Sequence, residues 1–445
     1  MKKLKIAYIA AGAAGMYCGN CLHDNTLARA LRRQGQDVLL VPTYTPIKTD
    51  EEDVSLHRVF FGGINVYLQQ KLSIFRHTPW FLDRLLDSPA LIDSMTRMSM
   101  SVNPEDLGDL TVSMLQGDEG KQAKEVEKLA YWLKNEVQPD IIHLSNVLLV
   151  GLARRLQEQV GVPIVSTVSG EDMFLDGLHE PFRSQAAQIL QDRAKDVQRF
   201  VSLNQYFANI MAQRMNISVD RIEVVPHGLD LEGHAKRQPN TSGEFTIGYL
   251  ARIAPEKGLH LLLEAFKLLS AESGLPPLKL KAAGYLGKAN RHYLEEIQQH
   301  AKEWGLAGRF EYLGEVDRAT KIEFVQSLDC LVMPTIYPES KGLPVLEAWA
   351  NAVPVVVPRH GTFPELLEDV AGGVMCEEND PRSMADQIKH LALNPTLAQQ
   401  LGDTGFEAVR HRYHADHMAL NTLALYHKVL DMELPAATLT APGVR

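Results

Sequence analysis

Short apolar runs alternate with amphipathic segments along most of the chain, and this pattern constrains the fold more than any other feature. Buried parallel strands are apolar on both faces, and the helices between them cover the sheet, so the pattern predicts an α/β fold with parallel sheets. The pattern occurs twice. Strands are expected at 5–10, 38–41, 141–144, 164–168, 200–203 and 222–225, and again at 245–250, 278–283, 310–313, 330–333, 353–357 and 373–375.

The length of the chain agrees with two domains, because 445 residues is about twice the usual length of one domain. The segment 233–244 is polar and rich in turn-forming residues, so we predict a linker there. It separates an N-terminal domain at 1–232 from a C-terminal domain at 245–410. Two doubly wound domains imply a cleft in which a substrate could bind.

Three segments lie outside the alternating pattern. Residues 69–130 interrupt it and are expected to be helical, serving either core packing or an acceptor surface. Residues 411–431 are expected to form the last helix, and 432–445 lack periodicity and are expected to be a disordered tail.

Charge and composition limit the partners. A net charge of -10 and a pI near 5.9 give no basic field for a polyanion, so nucleic acid is not expected as a partner. The four cysteines and the lack of an apolar leader after Met1 predict a cytoplasmic protein. The sequence contains no apolar stretch long enough to predict a transmembrane helix.

Two carboxylates lie eight positions apart in the segment Glu339-Ser-Lys-Gly-Leu-Pro-Val-Leu-Glu347, around a turn that should open a helix. We expect the N–H groups of Gly342, Leu343 and Val345 to be uncommitted at this helix start and to bind a diphosphate. The two glutamates could then hold sugar and ribose hydroxyls. The alternative is an ordinary strand, turn and helix with two solvated glutamates.

Two cations and one histidine follow other predicted strands. Arg252 ends a strand and Lys257 begins a helix, so both can lie at one sheet edge and neutralise a leaving diphosphate, unless they are only surface charges. His227, in Val225-Pro-His-Gly-Leu-Asp230, ends the first half and could be structural or catalytic. No Asp-x-Asp sequence occurs, which disfavours a metal-chelating transferase, so no metal is expected.

The loop after the first strand contains Gly12, Gly15 and Gly19 and could approach a phosphate. The spacing differs from the dinucleotide fingerprint, and the second strand lacks the acidic residue at its end, so NAD or FAD is not expected. Cys18 and Cys21 form a single Cys-x-x-Cys pair, which makes ordinary small thiols a better interpretation than zinc or redox chemistry.

In this order along the chain, these segments resemble the family 4 glycosyltransferases, whose GT-B architecture consists of two facing Rossmann-like domains. The resemblance covers nearly the whole chain. The segments that carry it are 18–35, 141–144, 165–170, 225–230, the Arg-x4-Lys-Gly sequence at 252–258, 313–314, and 334–354 with its Glu-x7-Glu sequence.

The resemblance implies roles for individual residues. Arg252 and Lys257 would bind the donor diphosphate, Glu339 the transferred sugar and Glu347 the ribose, with Gly19 approaching the diphosphate from the other domain. Glu339, Lys257 and Arg252 would be the catalytic residues. The last helix, from about residue 405, would cross back to the N-terminal domain.

Two departures from the family pattern concern the first half. The family commonly has Thr-x-His-Gly, with the histidine contacting the sugar, where this chain has Ser169 between Val168 and Gly170. The paired glycines of the first loop are Cys18-Gly19 here. We therefore assign Ser169, His143 and His227 to the acceptor and sugar side of the site.

The resemblance implies retaining transfer of a sugar from a nucleotide-diphosphate sugar to an acceptor hydroxyl, without a cofactor or metal. The acceptor would be a carbohydrate or a lipid-linked molecule, with peripheral membrane contact in the second case. The alternatives are a catalytically inactive nucleotide-sugar binding protein and a GT-B epimerase or phosphorylase. Glu-x7-Glu together with Arg-x4-Lys favours a transferase over the last two.

Overall fold

The computed structural model describes residues 3–12, 19–56, 59–61, 104–238 and 243–431. The chain divides into two compact units. The first consists of Met1–Val225 with Met418–Arg445, and the second of Pro226–His417. Parts of the predicted 69–130 segment and of the linker, as well as the tail at 432–445, lie outside the described residues.

The first unit is built on a six-stranded parallel sheet. The strand order is β2-β1-β3-β4-β5-β6. The strands are β1 (Lys5–Ala10), β2 (Asp37–Pro42), β3 (Ile141–Leu144), β4 (Ile164–Val168), β5 (Arg199–Ser202) and β6 (Ile222–Val224). Their side chains are nearly all buried, which is why they are continuous apolar runs in the sequence.

Helices flank this sheet and supply its core with residues such as Leu156, Leu190 and Phe207. The helices are α1 (Gly19–Arg33), α2 (Pro104–Gln116), α3 (Ala123–Trp132), α4 (Ala153–Val160), α5 (Asp172–Asp176), α6 (Phe182–Arg193) and α7 (Gln205–Arg214). Asn204 caps α7, because its side-chain oxygen accepts from the Phe207 N–H at 2.8 Å.

The second unit is a second six-stranded parallel sheet, with the order β12-β11-β10-β7-β8-β9. The strands are β7 (Phe245–Leu250), β8 (Leu278–Ala283), β9 (Phe310–Tyr312), β10 (Cys330–Val332), β11 (Val355–Pro358) and β12 (Gly373–Cys376). All twelve predicted strands are therefore present, with ends displaced by at most two residues.

The first helix of the second unit, α8 (Leu259–Ser270), buries one apolar stripe. In α8 the buried residues recur at three- and four-residue spacing, at Leu259, Leu262, Leu263, Phe266 and Leu269. The other helices of this unit are α9 (Arg291–Glu303), α10 (Arg318–Gln326), α11 (Leu343–Trp349), α12 (Phe363–Val370), α13 (Pro381–Leu393) and α14 (Pro395–Arg412).

The strand order of the second unit determines where its ligand site should lie. The first strand, β7, lies between β8 and β10, so the chain winds outward from it in both directions. Ligands of open parallel sheets bind at the carboxyl ends of the strands where this reversal occurs. In this unit that position is between the loops that follow β7 and β10.

The end of the chain differs from the prediction of one helix over 405–431 or 411–431. The structure has α14 and then a separate helix α15 (Ala415–Leu430). Between them, Tyr413 and Ala415 form backbone hydrogen bonds to Leu229 at 2.8 and 2.9 Å. These tertiary bonds replace helical ones, so the helix ends at Arg412.

The described part of the predicted linker is attached to the second unit. The Arg237 N–H donates to the Asn351 carbonyl at 3.0 Å, and its guanidinium pairs with Asp329 at 2.8 Å. The boundary between units lies at Val225 and Pro226, before the predicted linker at 233–244. Polarity and turn residues alone did not reveal these contacts.

Gly258 offers a test of backbone constraint next to the candidate site. Its φ is 74°, and a Cβ there would lie 1.8 Å from the Pro334 carbonyl oxygen. Gly258→Ala should cost about 3 kcal/mol of unfolding free energy, because left-handed strain and a clash with backbone add. Gly305→Ala is the matched control, since φ is 70° and nothing lies within 4 Å, and it should cost about 1 kcal/mol. Equal losses in chemical denaturation would contradict the close approach.

Candidate active site

Two loops at the carboxyl edge of the second sheet bring together residues that are far apart in sequence. Lys257 ends a short turn of 3-10 helix, Pro255–Lys257, after β7. Glu339 lies between β10 and α11. The Lys257 Nζ donates to the Glu339 Oε2 at 2.9 Å, so the structure places this pair at the switch point of the sheet.

Both oxygens of the Glu339 carboxylate are hydrogen-bonded. Oε2 accepts from Lys257 and from the Tyr337 hydroxyl at 2.7 Å. Oε1 accepts from the backbone N–H groups of Ser340 and Lys341 at 3.1 and 3.3 Å. The residue is 7% exposed, so the carboxylate has a fixed orientation.

Glu339 is held in its charged form. Burial would raise the pKa of this carboxyl, but the Lys257 charge and the hydrogen bonds from Lys257 and Tyr337 outweigh it and lower the pKa to about 2. At neutral pH the group is therefore a hydrogen-bond acceptor that carries a full negative charge.

The backbone of Glu339 is fixed by the loop after β11. The Thr362 N–H donates to the Glu339 carbonyl at 2.8 Å. Gly361 has a φ of 63°, and a Cβ there would lie 2.5 Å from the Glu339 backbone nitrogen and oxygen. This support was not predicted from the sequence, although the His-Gly-Thr turn after a strand is a local signal.

Arg252 lies on the same loop as Lys257 but makes different contacts. Its side chain is 48% exposed and pairs with Glu256 at 3.3 Å. Its carbonyl accepts from the Tyr249 hydroxyl at 2.9 Å, which fixes the backbone at the strand end. Arg252 is thus an exposed cation near the pair of Lys257 and Glu339.

Glu347 lies on α11 and is also paired. Its Oε1 lies 2.6 Å from the Lys321 Nζ, and the two side chains are 5% and 12% exposed. Lys321 comes from α10, and no motif in the sequence singled it out. The expected ribose ligand is therefore one partner of a buried ion pair.

The start of α11 differs in part from the expectation. Gly342 caps the helix with a φ of 69°, and Pro344 takes the second helical position instead of the first. The Val345 N–H donates to the Gly342 carbonyl at 3.0 Å, so it is committed and not free for a diphosphate. Among the described residues, no acceptor is recorded for the Gly342 and Leu343 amides.

His227 is buried in the second unit. Its Nδ1 bonds to the Gly228 carbonyl at 2.9 Å, and the residue is 3% exposed. Burial lowers its pKa to about 4, with the nearby Lys341 charge acting in the same direction. The imidazole is therefore neutral at pH 7.

In the first unit, Gly19 and Ser169 lie close together. Gly19 opens α1, and the next residue, Asn20, accepts from the Ser169 Oγ at 3.1 Å through its side-chain oxygen. The Ser169 N–H donates to the Glu171 Oε2 at 2.7 Å. Cys18 and the loop before it lie outside the described residues, and Cys21 is a buried free thiol.

His143, which the sequence analysis assigned to the sugar side, has both ring nitrogens engaged by protein groups. Nδ1 bonds to the Tyr426 hydroxyl at 2.6 Å and Nε2 to the Thr167 hydroxyl at 2.7 Å. The residue is 1% exposed, and burial lowers its pKa to about 3. His143 lies on β3 and thus bonds to Thr167 on β4 and to Tyr426 on α15. Neither ring nitrogen is left for a ligand.

The neutral state of His143 predicts a loss of stability in acid. The pKa of His143 in the folded protein is below the ordinary value of a histidine. As pH falls from about 6.5 to about 3, the unfolded chain therefore binds a proton at this residue that the folded chain excludes. At pH 5 this difference in proton binding lowers the free energy of unfolding by about 2 kcal/mol relative to pH 7. Hydrogen exchange of β3 and β4 should show a smaller pH dependence in His143→Gln. The exposed His179→Gln should behave like the wild type, and an unchanged pH dependence in His143→Gln would contradict the assignment.

Clusters of three or more His, Cys, Asp or Glu side chains that could hold a metal ion do not occur among the described residues. The charged groups that act on the Glu339 carboxylate are Lys257 and Lys341. Arg252 and Glu256, which pair with each other, act on the neighbouring Tyr337 hydroxyl.

Two family models match parts of this chain. The family model of glycosyl transferases group 1 matches residues 232–408, and the model of glycosyltransferase family 4 matches residues 113–232. The chain belongs to the family 4 glycosyltransferases, as its sequence motifs predicted. These enzymes are transferases, and the two matches together cover residues 113–408, which lie in both units.

Relatives of known name are distant. The phosphatidyl-myo-inositol mannosyltransferase of Mycobacterium leprae is 28% identical over 215 residues, 47% of this chain and 54% of that protein. The D-inositol 3-phosphate glycosyltransferase of Corynebacterium jeikeium is 28% identical over 48% of this chain and 52% of its own length. The chain thus spans about half of these two relatives. The D-inositol 3-phosphate glycosyltransferase of Arthrobacter is 26% identical over 83% of this chain and 91% of its own length.

Solved structures confirm the GT-B fold of this family 4 chain. Anabaena Alr3699/HepE in complex with UDP has a TM-score of 0.68 at 16% identity, covering 96% of this chain and 100% of that one. Sucrose-phosphate synthase from Thermosynechococcus elongatus has a TM-score of 0.69 at 16% identity, covering 96% and 99%. At these identities the likeness concerns the fold alone.

Proposed function

We propose that this protein transfers a sugar from a nucleotide-diphosphate sugar to an acceptor hydroxyl, with retention at the anomeric carbon and without a metal ion. The observation that carries the proposal is the buried Lys257 and Glu339 pair at the switch point of the second sheet. A cation and a fixed carboxylate at that position suit a ligand with a phosphate beside a set of hydroxyls.

The donor diphosphate is the group that gains charge in such a reaction. As its bond to the sugar breaks, negative charge grows on the leaving oxygens, and preorganised cations stabilise that charge. Lys257 supplies a compact ammonium from a half-buried position, and Arg252 an exposed guanidinium. These cations take the place that a divalent ion has in metal-dependent transferases.

Glu339 is suited to hold the hydroxyls of the transferred sugar. A carboxylate with a pKa of about 2 is fully ionised, accepts hydrogen bonds strongly and does not donate a proton at neutral pH. Retention would then rest on the diphosphate itself as the base toward the incoming hydroxyl. Glu347 would bind the ribose, a role that requires it to share its carboxylate with Lys321.

The ligands of similar structures and the names of relatives indicate which nucleotide and which acceptor to test first. The Anabaena structures contain UDP and UDP-glucose, which makes uridine the first base to test. Relatives named for inositol phosphate and phosphatidylinositol support a hydroxyl acceptor on a carbohydrate or a lipid-linked molecule. In the part of the chain that the structure describes, no helix is long and apolar enough to cross a membrane.

A catalytically inactive nucleotide-sugar binding protein is the second candidate. It is favoured by Ser169, which stands where the family commonly has histidine and which bonds to Asn20. A serine hydroxyl forms one neutral hydrogen bond and carries no positive charge. Such a protein would bind nucleotides without releasing sugar.

A thermal-shift panel tests donor binding. UDP, GDP, ADP and their glucose conjugates are measured with EDTA and with added magnesium. A ligand at 100 times its dissociation constant should stabilise the folded protein by about 2.7 kcal/mol, and EDTA should not abolish the shift. An unmoved melting curve with all nucleotides, or binding only with magnesium, would contradict the proposal.

A further inference from the structure

We propose that Tyr337 is a positioning residue that keeps the Glu339 carboxylate oriented toward the sugar when Lys257 turns to the donor diphosphate. The inference rests on the proposed function, because it assigns separate ligands to Lys257 and Glu339. Tyr337 follows β10 and lies within the segment 334–354 that carries the family resemblance, but no role was assigned to it from the sequence.

Tyr337 contacts both members of the pair. Its hydroxyl accepts from the Lys257 Nζ and donates to the Glu339 Oε2 at 2.7 Å. The Lys257 Nζ also lies 4.6 Å from the centroid of the tyrosine ring, in reach of a cation–π contact. The phenol therefore links the cation to the carboxylate.

The need for such a group follows from the two roles of Lys257. Its ammonium is bonded to Glu339, and a diphosphate with more negative charge would compete for it. Glu339 is 7% exposed, so water cannot readily replace the lost partner. A hydrogen-bond donor that remains on Oε2 keeps the carboxylate ionised and in place.

The tyrosine is suited to remain. Burial, with the Glu339 charge acting in the same direction, raises the pKa of its phenol well above the ordinary value, so the hydroxyl keeps its proton to donate. The backbone around it is fixed on both sides. The Ile336 N–H donates to the Glu256 carbonyl at 3.0 Å, and the Thr335 hydroxyl to the Tyr337 carbonyl at 3.1 Å.

Tyr337→Phe tests the proposal, because it removes the hydroxyl and keeps the ring beside Lys257. With UDP, GDP and ADP as probes, the dissociation constant of whichever nucleotide binds should change by less than about 3-fold. The kcat for release of that nucleotide from its sugar conjugate should fall about 10-fold, with KM nearly unchanged. The acid limb of kcat should move to higher pH, since a bond that favours the ionised carboxyl is lost.

Tyr413→Phe is the matched control. The Tyr413 hydroxyl also donates to a carboxylate of the second unit, that of Asp369, away from the pair. This variant should lose some thermal stability and keep the kcat and pH profile of the wild type. A similar change in stability for both variants would show that the kcat effect of Tyr337→Phe is not a folding defect.

Two outcomes would overturn the role of Tyr337 while the proposed function stands. One is weaker nucleotide binding with unchanged kcat, which would make Tyr337 a nucleotide contact. The other is an equal fall in kcat for Tyr337→Phe and Tyr413→Phe, which would make its effect structural. A wild-type protein that neither binds a nucleotide nor releases one from any donor would instead overturn the proposed function, and this role with it.

Discussion

Replacing Lys257 with methionine is expected to lower kcat for donor turnover by about 100-fold to 1000-fold. Methionine keeps an unbranched apolar stem and removes the ammonium that stabilises charge on the leaving diphosphate. Loss of one preorganised group of this kind typically costs about 3 to 4 kcal/mol of activation free energy. The measurement is steady-state release of nucleoside diphosphate from the sugar donor.

Two further variants determine whether the loss at Lys257 is specific. Lys279→Met removes a half-buried lysine of the same unit, paired with Glu311 at 2.9 Å, and should leave kcat unchanged. Lys257→Arg should restore activity only in part, because a planar guanidinium differs in geometry from a compact ammonium. An activated aryl glycoside needs little charge stabilisation, so an equal loss on that donor would assign Lys257 to folding.

Replacing Glu339 with glutamine should lower kcat by about 10-fold to 100-fold while nucleotide binding changes little. The amide has the same shape but loses the charge, and a hydrogen bond to a charged group contributes about 1.5 to 3 kcal/mol. The effect falls on the sugar, which Glu339 is proposed to hold. Binding of a free nucleoside diphosphate, which has no sugar, is the internal control.

Glu347→Gln is the contrasting variant. It should weaken binding of the nucleoside diphosphate, and it should also lower stability, because Lys321 loses the carboxylate of a buried pair. We therefore expect the larger change in nucleotide binding in Glu347→Gln and the larger change in kcat in Glu339→Gln. Equal losses of binding with unchanged kcat in both variants would contradict the assignment of sugar and ribose.

The sequence predicted the strands well because most of them are apolar runs. A strand that is buried on both faces, such as Ile164–Val168, leaves a local signal that does not depend on the rest of the chain. The loops that carry Lys257 and Glu339 follow such strands, so their convergence at one sheet edge was also predictable. Family resemblance then named the type of site.

Contacts made by distant residues could not be predicted in this way. Lys321 has ordinary local surroundings in the sequence and becomes the partner of Glu347 only in the folded unit. The break between α14 and α15 arises from hydrogen bonds to Leu229, about 185 residues earlier in the chain. Tertiary contacts overrode the helical pattern there.

His143 shows the same limit in the first unit. It was assigned to the sugar side with the family resemblance, but the Tyr426 hydroxyl, 283 residues away, engages one ring nitrogen and Thr167 the other. Both nitrogens of this buried histidine are therefore satisfied by protein groups. Ser169 lies beside Asn20, the residue that follows Gly19. Its assignment to the acceptor side of the reaction stays a prediction.

The most direct test of the account is donor turnover with metal chelated. The nucleoside diphosphate conjugate that binds in the thermal-shift panel is incubated with wild type and with Lys257→Met in EDTA, and proton NMR follows the released sugar. The account predicts nucleotide release by the wild type, a first-formed sugar with the anomeric configuration of the donor, and a loss of about 100-fold or more in the variant. Tight nucleotide binding without any release, or turnover that requires a divalent ion, would contradict it.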